Sequence, residues 1–266
     1  MTALPVLIDT HCHLHMPEFD GILDRVLESA AQKGVQKIVI PGIDLASSKD
    51  AVSLAARHSN LFAAVGVHPH EAKTWDNSTS DALIELAQAP NVVAIGEIGL
   101  DYYHNHSSPE AQRAAFHAQM GIAVEMNLPV ILHNREATSD VLAELAKWYI
   151  PASRQKPSGV LHAFSADLAA AQQALEWGYL IGIGGPITYK KADQLRSTVK
   201  EIGLTSIVLE TDAPFLAPHP FRGKRNQPEW VFYVAEMLAS IFHTTIENTA
   251  SSTTRNANLL FDLNHE

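Results

Sequence analysis

The sequence holds one cysteine, Cys12, so no disulfide can close within the chain and a reducing compartment is expected. No apolar run approaches the roughly 18 residues that a membrane-spanning helix requires. The apolar opening, Leu4 to Ile8, is too short for the core of a secretion signal and is broken by Pro5 and Asp9. These absences lead to the expectation of a cytoplasmic protein with no membrane association. Positive charge is also scarce, with 19 Lys and Arg against 29 Asp and Glu, a net charge of −10. Binding along duplex DNA relies on cations that displace counterions from phosphates, so this balance excludes an extended coat but not a local basic site. Signatures of other chemistries are missing too. GIGGP at Gly182 to Pro186 lacks the third glycine of a dinucleotide loop, and no GK[ST] phosphate loop or GxSxG nucleophile turn occurs.

Histidine and short β-like runs are what the chain has in quantity. The runs are VLIDTHCH with His11 and His13, VVAIGEIGLD with Glu97, PVILHN with His133, GVLHAF with His162, and IVLETDAP with Asp212. In each, the polar group falls at or near the C-terminal end of a β-branched apolar stretch. Strand-like runs alternate with amphipathic stretches along the whole sequence, predicting helices over 20–33, 109–125, 139–148, 168–177, 192–202, 229–242 and 246–260, among others. Ser47 is placed as the cap of a helix reaching Arg57, Gly34 as a helix-end glycine, and the segment 151–157 as a polar loop. Eight strand–helix units predict a single (β/α)8 TIM-type barrel over residues 1–266, with a metal site at the C-terminal mouth of the strands. An open doubly wound sheet would gather its ligands at one switch point. Here they come from the first, fourth, fifth, sixth and eighth strands, and only a closed ring brings those ends together.

Four imidazoles and two carboxylates suit one or two borderline divalent ions. His11 and His13 lie two apart on a strand and so share a face, where they can grip one ion, while Cys12 faces away into packing. Glu97 has two oxygens with which to bridge two ions. Glu210 lies on the same face as Asp212 but deeper, and a role behind the ligands, a role on a third ion or a structural role fits it. Two divalent ions, two carboxylates and a bridging hydroxide leave about one positive charge, which favours an anionic substrate such as a phosphodiester. Arg135, Lys190, Arg222, Lys224 and Arg225 fall in loops after strand ends, as do the aromatic residues Tyr102, Tyr103, Phe164, Tyr189 and Phe215. His68 is expected to hydrogen-bond a phosphate or orient a ligand. His70 is left open, and His15, His104 and His106 carry no pattern that assigns them a role.

The motifs DTHCHL, GVHPH, GEIGLDYY, LHNRE, HAFS, ETDAPFL and RGKRNQP, in this order and spacing, resemble the TatD family of metal-dependent deoxyribonucleases. The resemblance runs from Asp9 to Asn258. It implies a barrel of the amidohydrolase superfamily that holds two divalent ions (Mg²⁺, Mn²⁺ or Zn²⁺) on His11, His13, Glu97, His133, His162 and Asp212. It also implies a nuclease that trims DNA, with some members acting on aminoacyl-tRNA. Gln227 departs from the Glu usual in the family's RNEP, which puts the geometry of that loop in question. The expected mechanism is phosphodiester hydrolysis by a metal-bound hydroxide at DNA ends or in single strands. Glu97 bridges the ions, and Asp212 holds the second ion and accepts the proton. His68, Arg135, Tyr102 and the loop bearing Arg222, Lys224 and Arg225 grip the substrate. Two rival readings are an amidohydrolase or esterase acting on a carbonyl, such as that of aminoacyl-tRNA, and a non-catalytic interaction protein. The oligomeric state is left open.

Overall fold

Residues 4–149 and 156–263 are described by a computed structural model. Eight parallel strands follow one another in sequence order: β1 (Leu7–Asp9), β2 (Val35–Pro41), β3 (Leu61–Val65), β4 (Val92–Asp101), β5 (Val130–Arg135), β6 (Gly159–Leu161), β7 (Tyr179–Ile183) and β8 (Ile207–Leu209). The ring is closed between β8 and β1 by Thr10 N donating to Leu209 O, Asp212 N to His11 O and His13 N to Ala213 O. Around it lie α1 (Leu23–Gln32), α2 (Leu45–Arg57), α3 (Asn77–Ala87), α4 (Pro109–Glu125), α5 (Thr138–Trp148), α6 (Leu168–Glu176), α7 (Asp193–Ile202), α8 (Val231–Ile241) and α9 (Ile246–Phe261). The expected barrel is therefore present. Among the described residues no helix is long and apolar enough to cross a membrane.

A parallel sheet covered on both faces needs continuous apolar strands, and all ten residues of β4 are buried. Inside the ring, Ile8, Val39, Phe62, Val93, Ile131, Val160, Leu180 and Val208 supply one side chain from each strand. Leu260 and Phe261 of α9 join this cluster, so the last helix closes one end of the barrel as well as lying against its outside. With the interior filled by hydrocarbon, polar groups gather at the opposite end, where the strands finish.

Two local details differ from the sequence reading. Asp44, not Ser47, caps α2: its carboxylate accepts from Ser47 N at 2.7 Å while Ser47 Oγ accepts from Asp44 N at 2.9 Å, a reciprocal pair. Strands β1, β6 and β8 stop short, so His11, His13, His162 and Asp212 lie just beyond regular pairing. Asp212 (φ 56°) and Ala163, next to His162 (φ 45°), take left-handed backbone there and turn the ligands out of the ladder. The polar loop expected at 151–157 lies outside the described residues apart from its last two. Gly34, at φ 86°, ends α1 as expected.

The seam between the first and last strands depends on Asp9. Its fully buried carboxylate accepts from Thr211 N at 2.9 Å, Thr211 Oγ1 at 2.6 Å and His11 N at 3.3 Å. Removing it strands buried donors, each costing roughly 1–3 kcal/mol. Asp9→Ala is therefore expected to lower unfolding free energy by about 3 kcal/mol or more in urea titration. A loss no larger than that of the exposed control Asp81→Ala would show that the seam holds without this carboxylate.

Candidate metal centre

Glu97, in the middle of the ten-residue β4 and not at its end as the sequence suggested, is the hub of the polar end. Its Oε2 lies 3.3 Å from His11 Nε2 and 3.7 Å from His13 Nε2. Its Oε1 lies 2.8 Å from His162 Nε2, 2.9 Å from His133 Nδ1 and 3.4 Å from His68 Nε2. Asp212 Oδ1 completes the first group, 3.6 Å from His11 Nε2 and 3.4 Å from His13 Nε2. The structure thus brings all six expected ligands together and sorts them. The carboxylate of Asp212, expected to hold the second ion, stands beside the His11–His13 pair. His68 joins His133 on the far oxygen of Glu97, in the position of a ligand.

These groups fit divalent ions. Tetrahedral coordination at 2.0–2.1 Å puts neighbouring ligand atoms about 3.3 Å apart, within the span of separations seen here. Five imidazole nitrogens converging on one carboxylate, with two of them (His11 and His13 Nε2) facing each other at 3.1 Å, form a set that cations would satisfy.

Charge follows from the packing. Burial alone would raise the Glu97 carboxyl, but His162, His68 and His11 beside it outweigh that and hold it well below the usual range. Burial pushes His11 and His68 down to about 4, which keeps both rings neutral and ready to donate lone pairs. His162 goes the other way: burial opposes its charge, yet the adjoining Glu97 carboxylate raises it. Asp212 is likewise burdened by burial and held below its ordinary value by His13 and His11.

Behind these rings stand two further carboxylates. Glu210 is buried behind His162, accepting from Ala163 N at 2.5 Å, and its 3.8 Å separation from His162 Nδ1 is too long for a hydrogen bond. Gly182 makes room for it, since a Cβ there would meet Glu210 Oε2 at 2.4 Å. Asp101, missed in the sequence reading, stands behind His133, whose Nε2 is 3.1 Å from Asp101 Oδ2. Its position four residues after Glu97 on one strand was the available signal. His70 and His104 also reach Asp101 Oδ2, at 2.9 and 3.0 Å.

The centre opens into a cavity of about 220 Å³ lined by His13, His68, Glu97, His133, Asp212 and Phe215. Of the expected substrate contacts, Arg135 is exposed and stacks on Tyr103 at 4.4 Å, and Arg222 is exposed and stacks on Tyr189 at 4.6 Å. Lys224 lies over Phe221, whereas Arg225 is tied down by donating to Glu18 O at 2.7 Å. Tyr102 has its hydroxyl committed, donating to Asp140 Oδ2 at 2.6 Å and accepting from Arg113, so the exposed aromatic at this corner is Tyr103. Gln227 forms its side-chain bond with Glu229. The basic loop is anchored by buried Asn226 instead, which donates to Thr211 O at 2.8 Å and Phe215 O at 2.7 Å.

Known proteins carry the same architecture. The metal-dependent hydrolase YabD of Bacillus subtilis, itself uncharacterized, is 39% identical over 97% of this chain and 100% of its own length. The protein named 3′-5′ ssDNA/RNA exonuclease TatD from Erwinia amylovora is 36% identical over 97% of this chain and all of its own. The crystal structure of the TatD homologue YjjV from Escherichia coli superposes with a TM-score of 0.90 at 33% identity, covering 96% of this chain and 98% of that one. A family profile described as TatD related DNase matches residues 8–262, and with that match over nearly the whole sequence the chain belongs to the TatD-related DNase family.

Proposed function

We propose that this protein is a two-ion deoxyribonuclease that hydrolyses phosphodiester bonds at DNA ends or in single strands. One observation carries the reading: the two oxygens of buried Glu97 face two separate groups of ligand nitrogens, the arrangement expected of a carboxylate shared by two cations. His11, His13 and Asp212 would hold the first ion, and His68, His133 and His162, all within 3.4 Å of Glu97 Oε1, would hold the second, with Glu97 common to both. The metal would be Mg²⁺, Mn²⁺ or Zn²⁺, and when bound it supplies Lewis acidity toward a phosphoryl group and activation of water. Relatives named as 3′-5′ ssDNA/RNA exonucleases support a nucleic-acid substrate.

The chain's own groups do the rest. Asp212, only partly covered and lining the cavity, would take a proton from attacking water on the oxygen not turned toward His11 and His13. Asp101 holds His133 in a fixed ring orientation through its 3.1 Å contact with Nε2, and Glu210 packs behind His162. Arg135 and Arg222, each resting on a tyrosine, place positive charge on the rim of an otherwise acidic protein, while Tyr103 and Phe215 are exposed aromatics on which bases can stack. A few nucleotides fit such a mouth better than a length of duplex, since the net charge of −10 repels a polyanion elsewhere.

Three outcomes are expected. Exhaustive chelation should abolish hydrolysis of single-stranded DNA and Mg²⁺, Mn²⁺ or Zn²⁺ should restore it; full activity in metal-free protein, checked by elemental analysis, would end the reading. Asp212→Asn should lower kcat by about 10²-fold or more, in the range of lost general acid–base catalysis, whereas Glu97→Gln should also lose bound metal. Near-normal turnover in metal-loaded Asp212→Asn would make Asp212 a ligand alone. Replacing Arg222, Lys224 and Arg225 together by alanine should raise KM for DNA and flatten its salt dependence, with kcat changed much less. An unchanged KM and salt slope, with ester or amide substrates cleaved faster than DNA, would favour the carbonyl chemistry.

A further inference from the structure

Beside the Glu97 centre, on the same cavity, lies a second cluster, of which the reaction above uses only Asp101 and His133 and leaves His70, His104 and His106 without a role. His70 Nε2, His104 Nδ1 and His133 Nε2 stand 2.9, 3.0 and 3.1 Å from a single atom, Asp101 Oδ2. A carboxylate oxygen offers about two lone-pair directions, so three N–H donors exceed what it can accept in good geometry. His133 has the first claim, because its other nitrogen faces Glu97 and its Nε2–H is oriented by Asp101. His70 and His104 are therefore left around one oxygen with two further imidazole nitrogens to place.

The backbone builds this arrangement deliberately close. Asp101 Oδ1 accepts from the main-chain N–H groups of Tyr103 at 3.0 Å and His104 at 2.9 Å, which turns its other oxygen toward the histidines. Asn105 adopts a left-handed conformation (φ 51°) and swings His106 back so that its ring stacks 5.8 Å from that of His104 and 4.6 Å from that of His70. Two imidazoles, one carboxylate oxygen and a third imidazole in reach form a nitrogen-rich set of the kind that binds zinc-class ions tetrahedrally. The carboxylate is buried while His104 and His106 are exposed, so such a site has an open side toward solvent.

The structure assigns a third divalent-cation site to His70 Nε2, His104 Nδ1 and Asp101 Oδ2, with His106 as an additional ligand, selective for borderline metals such as zinc. It goes beyond the two-ion reading and stands on different nitrogen atoms. A cation there adds positive charge to the rim of the cavity, where an anionic end of a substrate approaches, and is linked to the Glu97 centre through Asp101 and His133.

The test compares zinc content in untagged, metal-stripped protein dialysed to saturation against zinc and measured by elemental analysis. His104→Ala/His106→Ala removes two exposed rings without touching any group beside Glu97. The wild type is expected to retain one zinc per chain more than this variant, for a total of three against two. Equal zinc in both proteins overturns the site. So does a result in which metal-stripped wild type binds inorganic phosphate, the variant does not, and zinc content is the same, because the cluster is then an anion site. The difference between the proteins judges the third site, and the variant's own total judges the two-ion reading, so either can fail alone.

Discussion

A buried carboxylate with both oxygens in use is the constraint around which the functional end of the barrel is organised. An ionised Glu97 in the interior would be untenable without compensation, since burial of a lone charge costs several kcal/mol. The barrel supplies it from four strand ends, with His11 and His13 after β1, His68 after β3, His133 on β5 and His162 after β6. Each is within 3.7 Å of a Glu97 oxygen. The compensation in turn leaves too many nitrogens for one carboxylate. That surplus makes the site a receptor for cations and not a sealed ion pair.

The supporting layer explains why the first set of residues is not enough. Imidazole rings rotate freely unless their second nitrogen is held. Asp101 and Glu210 stand behind the two rings nearest Glu97 Oε1, and backbone N–H groups hold these carboxylates in turn. Gly182 belongs to this layer although it carries no chemistry, because any side chain there would displace Glu210.

Much of this was legible in the sequence. Parallel strands covered on both sides must be apolar throughout, so eight strands stood out as uninterrupted runs, and the six candidate ligands stood out as polar residues within or just after those runs. The grouping of the ligands was not legible. It depends on where each strand leaves the ladder, and left-handed backbone at Ala163 and Asp212 has no marker such as glycine. The same limit hid the Asp101 cluster. His104 and His106 lie in a loop whose path is set by Asn105 and by bonds to Asp101, and no periodicity reports that. Tyr102 and Tyr103 are adjacent and chemically alike, and only the position of Asp140 and Arg113 decides which one turns to solvent.

The seam between β1 and β8 has a further meaning in time. His11 and His13 precede Asp212, their carboxylate neighbour, by some 200 residues, and the two ends are joined by Asp9 and Thr211 only when the ring shuts. A chain grown only as far as β7 therefore carries the His11–His13 pair without that neighbour and without the bonds that draw the two together, and truncated products never assemble the group.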